Sequence, residues 1–172
     1  MENSQRHQKA SSQAGGRVGN RRVDLLNSCF RILSLRPRSE SEVVSFLKKK
    51  TTDADLISEI ITQLKQLKYI DDAKFSSWLV ESRSRSRPRG KRLLVREMKA
   101  KGISADDIKV EIDETSLAGK ALEKKLHVWK SLPYKEFKTK SYRFLAARGF
   151  PWEVIERVTR KLYNGQDVTD ED

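Results

Sequence analysis

Three segments of this chain align without a gap: "SFLKKKTTDADLI" (Ser45 to Ile57), "REMKAKGISADDI" (Arg96 to Ile108) and "RFLAARGFPWEVI" (Arg143 to Ile155). In each, an apolar residue (Leu47, Met98, Leu145) stands three before a base (Lys50, Lys101, Arg148). A turn pair follows (Thr51 and Thr52, Gly102 and Ile103, Gly149 and Phe150), then a cap-like residue, an acid and an apolar anchor (Asp55 and Ile57, Asp106 and Ile108, Glu153 and Ile155). The copies recur at roughly fifty-residue intervals, within the range at which helical repeats stack to share a core. A sequence built this way is three copies of one unit, and the unit is helix, turn, helix.

Apolar spacing supports helices throughout. Leu56, Ile57, Ile60, Ile61, Leu64 and Leu67 draw one face along a helix of about four turns, and Val154, Ile155, Val158 and Leu162 repeat the pattern near the end. Ser39 with Glu42 has the spacing of a capping box, and Ser104 with Asp107 is a weaker copy. Pro151 suits the first turn of the last helix, where its missing N–H is harmless, and Glu153 complements the helix dipole. Each unit has room for a helix ahead of its pair, at Val23 to Leu35, Ala73 to about Arg87 and Ser116 to Lys130. The predicted fold is therefore all-α, an elongated array of three tandem three-helix repeats. The repeats occupy residues 21–70, 71–115 and 116–165, between a flexible basic tail (1–20) and an acidic tail (166–172).

Charge narrows the partners. The formal net charge is +12, although Asp167, Asp170, Glu171 and Asp172 concentrate acids at the end, so the remainder is more basic still. Such a field favours a polyanion, because each neutralised phosphate releases condensed counterions. The chain has no apolar run near the ~20 residues of a transmembrane helix and no signal-peptide core at its start, so the expectation is a cytoplasmic protein without a membrane partner. Cys29 is the single cysteine, which excludes an intrachain disulfide and a cysteine-based zinc site; it sits in the stripe Leu25, Leu26, Cys29, Phe30, Leu33 and reads as core. His7 and His127 are too isolated for a metal or a triad.

The densest charge lies in "ESRSRSRPRGKR" (Glu81 to Arg92). It is bracketed by two apolar helical faces, Phe75, Trp78 and Leu79 before it, Leu93, Leu94 and Met98 after it, so it reads as a helix end and a short loop broken at Pro88 and Gly90. An Arg-Ser segment of the splicing type or a nuclear signal is the minor alternative. Arg83, Arg85, Arg87, Arg89, Lys91, Arg92 and Arg96 gather around one turn, with Glu81 and Glu97 as the nearby acids. Multidentate guanidiniums at this density point to phosphates or to acidic protein residues. The bland account, a solvated helix end suited to the C-terminal dipole, covers one or two arginines better than seven bases. Lys99 and Lys101, and Lys48 to Lys50, extend the track or merely solvate their helices. "GKR" lacks the first glycine and the hydroxyl of a phosphate-binding loop. Asp71 and Asp72 have the look of a helix cap, with no third ligand at helical spacing. Trp78, Trp129 and Trp152 are expected in the core, although an exposed one could stack on bases.

Two motifs carry a resemblance. "LKYIDDAKFSSWLV" supplies Tyr69, Ile70, Asp71, Asp72 and Phe75, and "GKRLLVREMKAKGIS" supplies Gly90, Leu94, Glu97, Met98, Lys101, Gly102 and Ile103. With them the sequence resembles the RecX family, regulators of the recombinase RecA, over about Val23 to Leu162. Met98 replaces the family's usual leucine, and the "SLPYKEF" linker and both tails depart from its pattern.

The resemblance implies a non-enzymatic modulator, an inhibitor first of all. It would bind RecA and the RecA filament on single-stranded DNA and restrain ATP hydrolysis, strand exchange and the coprotease activity behind the SOS response. Its contact residues would be Arg83, Arg85, Arg87, Arg89, Lys91, Arg92, Arg96, Lys99 and Lys101, touching DNA phosphates or the filament protein, and the protein would be a monomer without cofactor or metal. The alternative is a stand-alone nucleic-acid-binding helical protein that docks on duplex DNA without a recombinase.

Overall fold

In the first repeat the side chains that start the second and third helices each accept from a backbone N–H of the first turn. The structure, a computed structural model, describes residues 20–108, 110–129 and 131–163. The sequence-defined tails lie outside these residues except for Asn20, which is already helical. Helix α1 runs through 20–35, α2 is Glu40–Lys48 and α3 is Ala54–Gln66. Ser39 Oγ accepts from the Glu42 N–H at 3.2 Å, and the Glu42 carboxylate takes two N–H groups of Arg36 at 3.0 and 3.1 Å. Asp53 caps α3 by accepting from the Leu56 N–H at 3.0 Å.

Leu25, Leu26 and Cys29 of α1 meet Val43 and Leu47 of α2 and Leu56, Ile57, Ile60, Ile61 and Leu64 of α3 in one buried cluster, closed by Ile70. Burying each such aliphatic side chain contributes about 1.5–3 kcal/mol. Cys29 is wholly enclosed, and burial pushes its thiol up to about 11, against a smaller opposing pull from Lys50. It is a packing residue, as its stripe suggests.

Helix α4 is Asp72–Ser86, and the chain divides inside it into two compact bodies, the first ending at Phe75 and the second beginning at Ser76. The second and third repeats therefore share a body. It contains most of α4, then α5 (Lys91–Ala100), α6 (Glu114–Trp129), α7 (Tyr134–Ala146) and α8 (Trp152–Tyr163). The initial helix of each repeat thus lies within a few residues of its expected span.

The middle helices of the second and third repeats end alike. Gly102 (φ 78°) and Gly149 (φ 82°) adopt the left-handed conformation that glycine tolerates, while the Ile103 and Phe150 N–H groups reach back to the Met98 and Leu145 carbonyls at 3.1 and 3.3 Å. In the first repeat Thr51 occupies the corresponding position, and its N–H bonds to the Leu47 carbonyl at 3.0 Å.

The three tandem helical units are present, with one correction inside the second. Where the alignment places its third helix, the structure has a turn at 105–107. Ser104 Oγ donates to the Asp107 carboxylate at 2.7 Å, so the residues expected to form a capping box bond to each other. Beyond them Ile108, Val110 and Ile112 alternate with Lys109, Glu111 and Asp113, a period of two that draws no helical stripe. Asp113 then accepts from the Ser116 N–H at 3.0 Å and starts α6. The third repeat recovers a full core: Leu117, Ala118, Ala121 and Leu122 of α6, Phe137 and Leu145 of α7, then Phe150, and Ile155 and Val158 of α8.

Candidate nucleic-acid interface

The Arg-Ser stretch is helical as far as Ser86. Ser84 and Ser86 each donate to the carbonyl four residues back, Val80 and Ser82, at 2.8 Å, so both hydroxyls are satisfied within α4. Buried Pro88 follows its end, and Arg87, Pro88, Arg89 and Gly90 connect α4 to α5.

Gly90 is there for space. Its backbone is ordinary extended chain (φ −72°, ψ 160°), but a Cβ would land on the Gly149 carbonyl and within 2.7 Å of the Phe150 nitrogen. Its N–H donates to the Arg148 carbonyl at 2.9 Å. Gly149 is constrained in return, since a Cβ on it would meet the Leu93 Cβ at 2.6 Å. Two glycines thus let the start of α5 touch the turn after α7 through their backbones. Nearby, the Lys91 N–H donates to the Glu114 carboxylate at 2.8 Å, and Lys124 Nζ to the Ser86 carbonyl at 3.3 Å.

The basic residues divide by partner. Glu97, whose side chain is 15% exposed, receives Arg83 Nε at 3.1 Å and also pairs with Arg89. Burial alone would push the Glu97 carboxyl up, but the hydrogen bond from Arg83 and the charges of Arg83, Arg89 and Lys101 hold it below the usual carboxylate range. The same hydrogen bond, opposed by burial and aided by the charge of Glu97, raises Arg83. One carboxylate therefore clamps α4, the loop and α5 together. Arg85 pairs with Glu81 one turn earlier on the same helix.

No carboxylate pairs with Arg87, Arg92 or Arg96 among the described residues. Arg92, Arg96 and Lys99 lie at i, i+4 and i+7 on the exposed side of α5, opposite the buried Leu94 and Met98. Lys91 is exposed at the helix start. The nine expected contact residues thus separate into a structural set, Arg83 and Arg89 with Lys101 acting electrostatically on the same carboxylate, a weakly tied Arg85, and an outward set of Arg87, Lys91, Arg92, Arg96 and Lys99.

Sequence reasoning misses one member. In the linear sequence Arg148 is only the base of the third repeat, yet the glycine contact brings its backbone to Gly90. Its guanidinium stacks on the Phe144 ring at 3.9 Å, and burial, reinforced by the charges of Arg87 and Arg89, lowers its pKa. Like charges crowded against a half-buried guanidinium are what an anionic partner would relieve. The available signal is alignment with Lys101; nothing in the linear order of residues places it beside the loop.

The remaining motif residues are structural. Asp71 caps α4 by accepting from the Lys74 N–H at 2.9 Å, and Asp72 accepts from the Glu40 N–H at 3.1 Å. Ile70, Phe75, Leu94 and Ile103 are buried, while Tyr69 is half exposed with its ring edge-on to Phe30 at 4.8 Å. Of the tryptophans, Trp78 and Trp129 are partly buried, but Trp152 is 60% exposed and meets Tyr142 edge-on at 4.4 Å, contrary to its expected place in the core. It stands three and seven residues before the buried Ile155 and Thr159, on their side of the helix, but as the first residue of α8 it is at the end of that buried stripe. Among the described residues no His, Cys, Asp and Glu group could hold a metal, and no helix is long and apolar enough to cross a membrane.

Comparison with known proteins follows the repeats. Family profiles described as the first, second and third three-helix domains of RecX match residues 26–64, 71–109 and 112–159 in that order. The "Regulatory protein RecX" of Bacillus subtilis is 34% identical over 153 residues, 85% of this chain and 58% of that protein. The protein of the same name from Pelodictyon phaeoclathratiforme is 32% identical over 136 residues, covering 77% of this chain and 85% of its own length. The chain thus spans little more than half of the Bacillus relative. A crystal structure of RecX from Lactobacillus salivarius superposes with a TM-score of 0.70 at 22% identity, covering 84% of this chain and 97% of that one. A second crystal structure of regulatory protein RecX gives 0.69 at 22% identity, covering 86% and 77%. At that identity the superpositions speak for the fold.

Proposed function

The chain belongs to the RecX family, and on that premise we propose that it is a non-enzymatic modulator of RecA in the cytoplasm, most directly an inhibitor. It binds the RecA filament on single-stranded DNA and restrains ATP hydrolysis, strand exchange and SOS coprotease activity. The observation that carries this reading is the outward set of bases around the joint between the second and third repeats, Arg87, Lys91, Arg92, Arg96 and Lys99, with the half-buried Arg148 beside them. Arg83 and Arg89 serve it indirectly, because the Glu97 clamp fixes the loop that presents Arg87. A surface held rigid before contact loses less conformational entropy on binding, which favours affinity.

The test is single-stranded-DNA-dependent ATP hydrolysis by RecA, titrated with this protein at fixed salt and with DNA in excess. Hydrolysis is expected to fall at substoichiometric protein, a ratio at which competition for free DNA cannot act. No fall up to equimolar protein would refute filament regulation and favour the stand-alone nucleic-acid-binding role that the basic surface also supports.

A further inference from the structure

Beside the glycine contact lies a hollow of about 450 Å³ lined by Arg92, Leu93, Arg96, Ala146, Ala147 and Gly149. Its charged wall is the outward face of α5, where Arg92 and Arg96 stand one turn apart and point the same way. Its opposite wall is the end of α7 and the turn after it, where exposed Ala146 and Ala147 and, beyond Arg148, Gly149 line the hollow with nothing longer than a methyl. The residues lining it include no carboxylate. Two other hollows differ on this point: one is lined by Arg22 together with Asp55 and Glu59, the other mixes Glu153 and Glu156 with Arg157, Arg160 and Lys161.

We propose that this hollow is a phosphodiester subsite, in which Arg92 and Arg96 clasp a backbone phosphate of single-stranded nucleic acid while the Ala146, Ala147, Gly149 wall admits the strand. The assignment rests on the filament reading above and deepens it by giving this contact to the DNA. A guanidinium pair of this kind accepts phosphate or carboxylate equally well by shape. The supply of cations separates the two. Among the described residues Arg87 and Arg148 border the same junction without a carboxylate partner, and a row of such groups matches a polymer that offers an anion at every step better than one acidic side chain. Small uncharged walls suit a strand that enters at one side and leaves at the other.

The experiment measures binding of a fluorescein-labelled oligo(dT) to the full chain without RecA, across a salt series, for wild type, R92A/R96A and A147E, with far-UV circular dichroism confirming the helices of each. R92A/R96A is expected to bind at least about tenfold more weakly, with a log–log salt slope shallower by about 0.7 for each phosphate that is no longer neutralised. A147E, which places a carboxylate in the hollow and leaves both arginines, is expected to weaken binding in the same direction. Affinity and slope unchanged in both variants would overturn the subsite, as would absence of oligo(dT) binding by wild type. Unchanged oligo(dT) binding alongside weakened action on RecA ATP hydrolysis would also overturn it, by assigning the hollow to a protein carboxylate. If wild type leaves RecA untouched while the variants still lose DNA affinity, the subsite stands and the filament reading falls.

Discussion

The first and second repeats carry the same sequence pattern and are held together differently. In the first, three helices enclose a common apolar cluster in which Cys29, Val43, Leu47, Ile60 and Leu64 have no exposed surface. In the second, a turn stands where the alignment places the third helix, and α4 and α5 approach each other less closely than α2 and α3 do, or α6, α7 and α8 among themselves. Phe75, Leu79, Leu94, Met98, Ile103 and Val110 are buried there, and the Glu97 carboxylate between Arg83 and Arg89 adds a polar tie from α4 to α5. The second repeat adds polar and backbone ties to its buried residues, and those ties also shape the basic surface.

Three substitutions would break or sharpen this contrast. The largest effect is expected at Ile60, which is wholly buried in the first body. Ile60→Ala should remove about 2–5 kcal/mol there. The readout is maleimide labelling of Cys29, expected to accelerate while amide protection in α7 and α8 holds. Equal loss of protection in both bodies would show that they are not separately maintained.

A smaller effect is expected from Glu97→Gln, about 1–3 kcal/mol because the clamp is partly exposed, with protection lost in α4 and α5 and Cys29 labelling unchanged. The pH dependence gives its sign. Since the Glu97 carboxyl titrates lower folded than unfolded, its contribution is complete above the unfolded carboxylate range and fades as pH falls through the folded value. Denaturation midpoints of wild type and variant should therefore differ near neutrality and converge in acid. A gap that persisted in acid would mean that shape, not charge, does the tying.

The smallest effect belongs to Arg85, exposed and paired within one helix. Arg85→Ala should shift stability by a few tenths of a kcal/mol. A shift comparable with that at Glu97 would erase the distinction between clamping and exposed arginines.

The helical scaffold is legible in the sequence because its signals are local. Ser39, Asp53 and Asp71 cap helices through hydrogen bonds spanning three residues, and the stripes of α3 and α8 need no knowledge of neighbours. The missing third helix of the second repeat is legible in principle, in the alternation after Ile108, but gapless alignment with its sister repeats outweighs that cue. Two parts of the candidate site cannot be read locally. Assigning Arg83 and Arg89 to Glu97 requires knowing how α4 folds back along α5, and adding Arg148 requires the contact between Gly90 and Gly149. Trp152 misleads because its spacing to Ile155 sets it on the buried side of α8, while its place as the first residue leaves it at the end of that stripe.

The hydrogen bond from Gly90 to Arg148 also sets an order of assembly. It joins residues roughly sixty positions apart, and the ends of a loop that long meet only after a substantial entropic penalty has been offset by contacts elsewhere. During synthesis α4 and α5 emerge with Arg87, Arg92 and Arg96 already in place, yet the seat for Gly90 does not exist until α7 has been made and has turned at Gly149. The growing chain therefore carries its charge long before it carries the surface that organises it, and that surface is completed only when the third repeat arrives.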